Sequence, residues 1–314
     1  MGAPRQPMSK YLWVEEFAPQ TVTECILPED VKKTFLEYVN EQDFPNLILA
    51  GTAGIGKTSL ARALCNDIGT DLLFVNASLD RGIGDVRTTV AQFASCTSLL
   101  SQKKVVLLDE ADNLTQDSQK ALRALIEEFQ NHCRFILTCN YPHNIIDAIH
   151  SRCTVFDFNI RDPKVLDKMV GEMGLRVVKI LKENDIKFDP KVLLKYLQAK
   201  APDWRGILNN LQGKTKGGEL PADIMEDTPD ALVGYLKAKK WTEARDWVFA
   251  HARLHPKHLE ATIYKALQAA LKDESKPMAV LIFAEYSDKI TAGADPSITL
   301  LALCTRIMME CSFS

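Results

Sequence analysis

A glycine-rich loop at residues 51–58 is the stretch whose residue types and spacing point most directly to chemistry. It reads GTAGIGKT, follows the apolar run LILA and precedes a helical pattern. Glycines let backbone N–H groups curl around an anion, and a helix N-terminus adds partial positive charge. Lys57 can reach the β- and γ-phosphates of a nucleotide, and the Thr58 hydroxyl can hold Mg²⁺. The predicted phosphate-binding residues are Gly51, Thr52, Ala53, Gly54, Ile55, Gly56, Lys57, Thr58 and Ser59.

An acidic pair, Asp109 and Glu110, comes directly after the β-branched and apolar run VVLL. Such a run predicts a central parallel strand, and open α/β sheets bind their ligands beyond the carboxyl ends of the strands. Asp109 is predicted to hold the hydrated Mg²⁺, and Glu110 to orient or deprotonate an attacking water. The alternative is a solvated acidic loop.

A third predicted strand, CRFILTC, leads into Asn140. An asparagine before an aromatic–proline pair is usually a turn former. If this strand neighbours the one that ends at Asp109, the Asn140 amide could contact the γ-phosphate or the water.

Arg152 lies between a helix-like and a strand-like segment, in the stretch AIHSRCTVFDF. A cation in the last turn of a helix satisfies free carbonyls and complements the helix dipole. That explanation suffices for the arginine when it is considered alone.

Composition excludes several classes of protein. The chain has 314 residues, a net charge of -3 and eight cysteines without metal-type spacing. No apolar run approaches the roughly 20 residues of a membrane span, and the first residues show no apolar signal region. A whole-chain basic surface for nucleic acid is absent, so any DNA contact must be local. Reduced thiols in a cytoplasmic compartment are expected, without a membrane partner.

The chain is too long for one compact core. We predict an α/β nucleotide-binding domain with a parallel sheet and flanking helices, followed by helical segments. Asp162-Pro163 and Asp189-Pro190 are each expected to begin a helix, because each offers a capping carboxylate and a proline for the first helical position. The segments WTEARDWVFAHARL and PMAVLIFAEYSDKI predict amphipathic helices in the last domain.

Together these motifs resemble those of the AAA+ ATPases, specifically the clamp loaders. The resemblance rests on GTAGIGKTSL, VVLLDEAD, LTCN and the triplet Ser-Arg-Cys at 151–153. The segment DRGIGDVRTTVAQFA is similar to part of the replication factor C small subunits. TECILPEDVKKTF and APDWRGILNNL extend the resemblance over nearly the whole chain, which is also similar to the large subunits of the T-even-type bacteriophage sliding-clamp loaders. The resemblance implies a nucleotide-binding domain at 1–160, a helical lid at 161–228 and a helical collar domain at 229–314.

The resemblance implies roles for further residues around ATP and Mg²⁺. Arg152 would be a finger that acts in trans, completing the ATP site of a neighbouring subunit. Arg205 would reach from the lid to the γ-phosphate, although an exposed helix arginine is the alternative. The adenine would meet Val14, Glu15, Glu16, Phe17 and Ile26. The N-terminal strip departs from the family pattern, because Glu16-Phe17-Ala18-Pro19 stands where a basic–aromatic–Arg–Pro sequence is common.

The resemblance also implies partners. The chain would join a clamp-loader small subunit and other copies of itself in a five-membered ring held by the C-terminal collar. Primer–template DNA would be contacted through its backbone by Arg81 and Arg87, an arginine pair near a helix predicted to begin at about Asp85. Gln119 and Arg123 belong to a family region that links DNA contact to the active site. Leu99 and Leu100 would enter a pocket of the sliding clamp, with core packing as an equal alternative.

The expected function is that of an ATPase subunit in a DNA polymerase clamp loader, stimulated by DNA and clamp. ATP binding would open the clamp, and hydrolysis would release it on the DNA. A non-hydrolysing structural subunit and an AAA+ branch-migration helicase are the alternatives. If the source is a bacteriophage, the compartment is the host bacterial cytoplasm.

Overall fold

The computed structural model describes residues 12–78, 83–95, 103–221, 224–225, 228–252 and 256–314, with side chains except at 83–87, 256–258 and 291. These residues form two compact units, one of residues 1–187 with 200–218 and one of 188–199 with 219–314. The predicted division into three domains places its boundaries elsewhere and stays a prediction. No helix among the described ranges is long and apolar enough to cross a membrane.

The first unit contains a five-stranded parallel sheet with the strand order β2-β3-β4-β1-β5. The strands are β1 (Leu47–Ala50), β2 (Asp71–Asn76), β3 (Lys104–Asp109), β4 (Cys133–Cys139) and β5 (Thr154–Asp157). The central strands β1, β3 and β4 have nearly continuous buried apolar runs, as expected for strands covered on both faces. The edge strands β2 and β5 are partly exposed.

Both faces of the sheet are buried under helices. Successive strand side chains point to opposite faces, so Ile48 and Ala50 join one apolar core while Leu47 and Leu49 join the other. The surrounding helices are α2 (Glu29–Glu41), α3 (Lys57–Ile68), α4 (Ile83–Ser95), α5 (Gln116–Phe129) and the short α6 (Asp147–His150). This arrangement confirms the predicted α/β fold class.

Strand register brings the predicted site residues to one edge of the sheet. Ala50 at the end of β1 is paired with Cys139 at the end of β4. On the other side of β4, Leu108 of β3 is paired with Leu137. The 51–58 loop, Asp109 and Asn140 therefore follow three adjacent strands at their carboxyl ends.

The remaining helices of the first unit cover this edge. A short N-terminal helix, α1 (Trp13–Glu16), meets α9 (Trp204–Lys214), where the Trp13 N–H donates to Gln212 Oε1 at 3.0 Å. The long helix α7 (Pro163–Glu183) begins as predicted, because Asp162 accepts a hydrogen bond from the Lys164 N–H at 2.9 Å.

The second unit is helical. It comprises most of α8 (Pro190–Lys200) together with α10 (Pro229–Lys237), α11 (Trp241–His251), α12 (Pro256–Ala270), α13 (Lys276–Thr291) and α14 (Pro296–Glu310). The helices predicted from WTEARDWVFAHARL and PMAVLIFAEYSDKI are confirmed as α11 and α13. Their buried side chains, including Trp247 and Phe283, share one apolar core. Asp189 accepts from the Lys191 N–H at 2.7 Å, which confirms the predicted start of α8.

Candidate nucleotide-binding site

The glycine-rich loop requires glycine at two positions. Gly54 and Gly56 have φ values of +79° and +103°, in the region that side chains rarely adopt. A Cβ at Gly54 would also lie 1.9 Å from Asp203 Oδ1. Gly56 leads directly into α3, so the positive end of that helix faces the loop. The loop thus has the backbone freedom and the helix terminus that an anion site needs.

Lys57 points back into its own loop. Its ammonium donates to the carbonyl oxygens of Gly51 and Thr52, both at 2.8 Å, and to Asn140 Oδ1 at 3.0 Å. The side chain is only 8% exposed. Burial lowers the pKa of Lys57 to about 8, against the smaller opposing influence of nearby acidic groups. The amine is thus mostly charged at neutral pH and can turn from these carbonyls to a phosphate.

Three oxygens converge at Asp109, at the end of β3. The hydroxyls of Thr58 and Thr138 each donate to Asp109 Oδ1 at 2.6 Å. Thr138 also accepts a hydrogen bond from the Glu110 N–H at 3.0 Å. The Thr58 hydroxyl and the Asp109 carboxylate are hard oxygen ligands of the kind Mg²⁺ prefers. Thr138 was missed by sequence reasoning, and a polar residue within the buried strand β4 was the available signal.

Glu110 adopts a left-handed backbone conformation, with φ +55° and ψ +43°. Such a conformation is uncommon for a residue with a side chain, and it clusters at functional sites. The chain changes direction immediately after β3, and Glu110 lines the same cavity as Lys57. Its carboxylate accepts a hydrogen bond from Asn113 Nδ2 at 3.3 Å.

Asp112 holds the backbone at Asn140. Its Oδ2 accepts from the N–H groups of Asn140 and Tyr141, at 3.1 and 3.0 Å. Asn140 is thereby fixed between Asp112 on one side and the Lys57 ammonium on the other. Sequence reasoning missed Asp112, although it is the last acid of the run DEAD that was used for Asp109 and Glu110.

These groups line one open cavity. Val14, Phe17 and Ile26 lie on its wall, whereas Glu15 and Glu16 do not. The residues from Ala53 to Ser59 also line it, with Asp109, Glu110, Thr138, Cys139 and Asn140.

Helices α7 and α9 supply the opposite wall. Trp204, Arg205 and Leu208 come from α9, and Met173 and Arg176 from α7. The Arg205 N–H donates to the Gly54 carbonyl at 3.3 Å, so the start of α9 lies against the glycine loop. Arg176 donates to the Glu24 carbonyl, next to the wall residues Cys25 and Ile26. Sequence reasoning anticipated Arg205 but missed Arg176, because an arginine within a long amphipathic helix carries no local signal.

Arg152 is not among the residues that line this cavity. Its guanidinium donates to Glu127 on α5, to the Ala148 carbonyl at 2.7 Å and to Ser151 Oγ at 3.0 Å. The bond to the Ala148 carbonyl is a contact with α6. It agrees with the explanation that Arg152 satisfies a free carbonyl at the end of a helix. The role of Arg152 in the ATP site of a neighbouring subunit stays a prediction.

The structure corrects part of the predicted DNA contact. Gln119 is only 2% exposed, and its amide is used internally: Nε2 donates to the carbonyls of Leu114 and Asn144, and Oε1 accepts from the Ile146 N–H. A side chain fixed in the interior in this way does not reach a DNA backbone. Gln119 instead joins α5 to the segment that leads from Asn140 to Arg152.

Other predicted contacts have different outcomes. Arg123 is surface-exposed on α5, with Nη2 3.9 Å from Glu127. Helix α4 begins at Ile83, close to the predicted start at about Asp85. The Arg87 side chain and the residues Arg81, Leu99 and Leu100 lie outside the described parts of the structure.

Comparison with known proteins identifies the family. Residues 47–164 match the model for "ATPase family associated with various cellular activities (AAA)". The chain is 31% identical to the replication factor C small subunit of Sulfolobus acidocaldarius over 324 aligned positions, which cover 95% of this chain and 96% of that protein. It is 33% identical to human replication factor C subunit 5 over 243 positions, covering 75% and 68%. This chain belongs to the replication factor C small-subunit family.

Membership in the replication factor C family confirms the prediction of an AAA+ ATPase of the clamp-loader type. Among solved structures, the Holliday junction branch migration motor RuvB of Thermotoga maritima is similar, with a TM-score of 0.53 and 17% identity over 71% of this chain and 80% of that one. Identity at that level shows a shared fold alone. The branch-migration alternative therefore draws no support from the similarity.

Proposed function

We propose that this chain is an ATPase subunit that opens a ring-shaped sliding clamp and places it on primer–template DNA. ATP binding opens the clamp, and hydrolysis releases it once loaded. The observation that carries this proposal is the convergence of Lys57, the Thr58–Asp109 pair, Glu110 and Asn140 at one sheet edge, in a chain of the replication factor C small-subunit family.

In the proposed site, the ATP phosphates lie along the 51–58 loop. Lys57 turns from the Gly51 and Thr52 carbonyls to the β- and γ-phosphates, which accept its hydrogen bonds in their place. Thr58 and Asp109 would hold Mg²⁺, because their oxygens, which lie 2.6 Å apart, are a donor set that fits this ion. The ion would supply charge neutralisation for the phosphates.

Hydrolysis then depends on groups around the γ-phosphate. Glu110 accepts a proton from the attacking water, and Asn140 orients the water or the phosphate. Arg205 reaches the γ-phosphate from α9, so that the presence of ATP is communicated to the lid. Arg152 acts in trans on a neighbouring subunit, where its planar guanidinium suits the diffuse charge of the transferring phosphoryl group.

The proposed partners rest on the resemblance to the bacteriophage clamp loaders, in which this chain corresponds to the large subunit. The chain assembles with a clamp-loader small subunit and further copies of itself into a five-membered ring, whose collar is the helical region from residue 229. Leu99 and Leu100 contact the clamp. Arg81, Arg87 and Arg123 contact the DNA backbone, without sequence specificity. A bacteriophage origin, with the host bacterial cytoplasm as the compartment, is part of the proposal.

The proposal is tested by measuring ATP turnover and clamp loading on primed DNA together. We expect turnover that rises on addition of clamp and DNA, and loading that requires ATP. Lys57→Ala should abolish both while the fold is retained. Tight ATP binding without turnover in the assembled complex would instead favour the non-hydrolysing structural subunit.

A further inference from the structure

The Arg152 side chain is engaged within its own subunit. Its Nε donates to Glu127 Oε1 at 2.8 Å, and Nη2 donates to the same oxygen. Nη1 donates to the Ala148 carbonyl and to Ser151 Oγ, at 2.7 and 3.0 Å. A guanidinium has five N–H donors, so these contacts occupy most of them.

The edge of the Arg152 guanidinium that contacts Glu127 is the edge that would bind a phosphoryl group. Arginine binds phosphate best through two parallel N–H groups on one edge of the guanidinium. Here the Nε–Nη2 edge is turned to Glu127, while Nη1 is turned to α6. In this conformation Arg152 cannot offer a complete edge to another subunit, and Glu127 must be displaced first.

Glu127 is well placed to hold the arginine and also to release it. Its neighbours Leu125 and Ile126 are buried, which anchors this turn of α5. The side chains of Arg152 and Glu127 are 33% and 44% exposed, so solvent reaches the pair. Exposed ion pairs shift an equilibrium by a few-fold rather than by orders of magnitude. Such a pair biases the position of an arginine without locking it.

We propose that Glu127 is a positioning residue that stores the Arg152 guanidinium on α5 in the unengaged subunit and competes for it with the γ-phosphate of the neighbouring subunit. This rests on the proposed trans role of Arg152. ATP turnover at a subunit interface then requires the arginine to exchange one carboxylate oxygen for phosphate oxygens.

The test measures steady-state ATP turnover of the assembled complex without DNA or clamp. Glu127→Gln keeps the size of the side chain and removes its charge, and we expect turnover to rise roughly two- to fivefold because an exposed ion pair contributes only a few-fold. Glu128→Gln, an exposed neighbour on the same helix, is the matched control and should leave turnover unchanged. The rise must depend on the arginine, so Glu127→Gln combined with Arg152→Ala should be no more active than Arg152→Ala alone.

A second measurement follows the arginine itself in the free chain. With ¹⁵N-labelled arginine, the Nε–H of Arg152, assigned through Arg152→Lys, should exchange with solvent faster in Glu127→Gln and at the wild-type rate in Glu128→Gln. The proposal for Glu127 is overturned if the exchange rate of the Arg152 Nε–H is unchanged in Glu127→Gln. It is also overturned if ATP turnover of Glu127→Gln stays constant or falls, provided that Arg152→Ala is inactive. Full activity of Arg152→Ala would instead refute the trans role itself.

Discussion

Asp112 accepts a hydrogen bond from the backbone N–H of Asn140 at 3.1 Å, and this bond ties the end of β4 to the turn that follows β3. The same oxygen accepts from Tyr141 at 3.0 Å. Asn140 in turn accepts from Lys57. Asp112 therefore sets the position of a side chain on the neighbouring strand, although it need not touch the nucleotide.

Removing the Asp112 carboxylate should lower turnover more than ATP affinity. In Asp112→Ala the Asn140 backbone loses its fixed acceptor, and a misplacement of about 1 Å in an active site can cost roughly 10²-fold in rate. Asp112→Asn retains an oxygen acceptor and should recover much of the loss. Steady-state kinetics and ATP titration of both variants provide the check. An equal loss in the two variants would mean that the charge, rather than the hydrogen bonds, is what matters.

Glu110→Gln should retain ATP binding, because Lys57 and the loop amides remain. Turnover should fall by about 10²–10⁴-fold, the usual contribution of a general base. Single-turnover hydrolysis in the assembled complex measures the chemical step. Glu128→Gln on α5 serves as a control for loss of an acidic charge elsewhere. Hydrolysis by Glu110→Gln at a near wild-type rate would assign the base to another group.

Binding of ATP should depend on pH through Lys57. Its pKa is lowered to about 8, chiefly by burial. The phosphates bind the charged amine, so affinity should be flat below pH 8 and fall above it by up to about tenfold per pH unit. Lys57→Arg keeps its charge over this range and should show a much flatter profile, even if it binds more weakly. Parallel profiles for both proteins would place the titrating group elsewhere.

Arg152 should act across a subunit boundary. Arg152→Ala should fold, bind ATP at its own loop and lose turnover in the assembly, since such arginines contribute roughly 10³–10⁵-fold in rate. Subunits inactivated by Lys57→Ala still carry an intact Arg152. Mixed with Arg152→Ala subunits, they should form some interfaces with an intact loop and an intact arginine, and partial ATP turnover should return. Mixed assemblies that form normally yet stay inactive would rule out the trans role.

Arg87→Ala should weaken DNA stimulation of turnover and flatten its dependence on salt, because each lost phosphate contact reduces the number of ions released on binding. Turnover without DNA should change little. Arg62, on α3 above the Phe74 ring, offers a control in the variant Arg62→Ala. A stimulation curve that is unchanged across salt concentrations would leave Arg87 an ordinary surface charge.

The sequence was sufficient for the sheet, the phosphate loop and the Asp109–Glu110 pair, because each follows from local apolar runs and residue spacing. It was insufficient for Asp112 and Thr138, whose importance comes from the register between β3 and β4. Arg176 was missed for a similar reason, since its contact with Glu24 joins segments far apart in the chain. Gln119 was grouped with the DNA-contact residues, and only packing shows that its amide is buried and bonded internally.

The hydrogen bonds of Lys57 also connect two neighbouring strands. Its ammonium donates to two carbonyls of the loop after β1 and to Asn140 after β4, and a buried cation is tolerated where such acceptors surround it. A neutral residue at position 57 would therefore remove a positive charge and, at the same time, a local connection between the ends of β1 and β4.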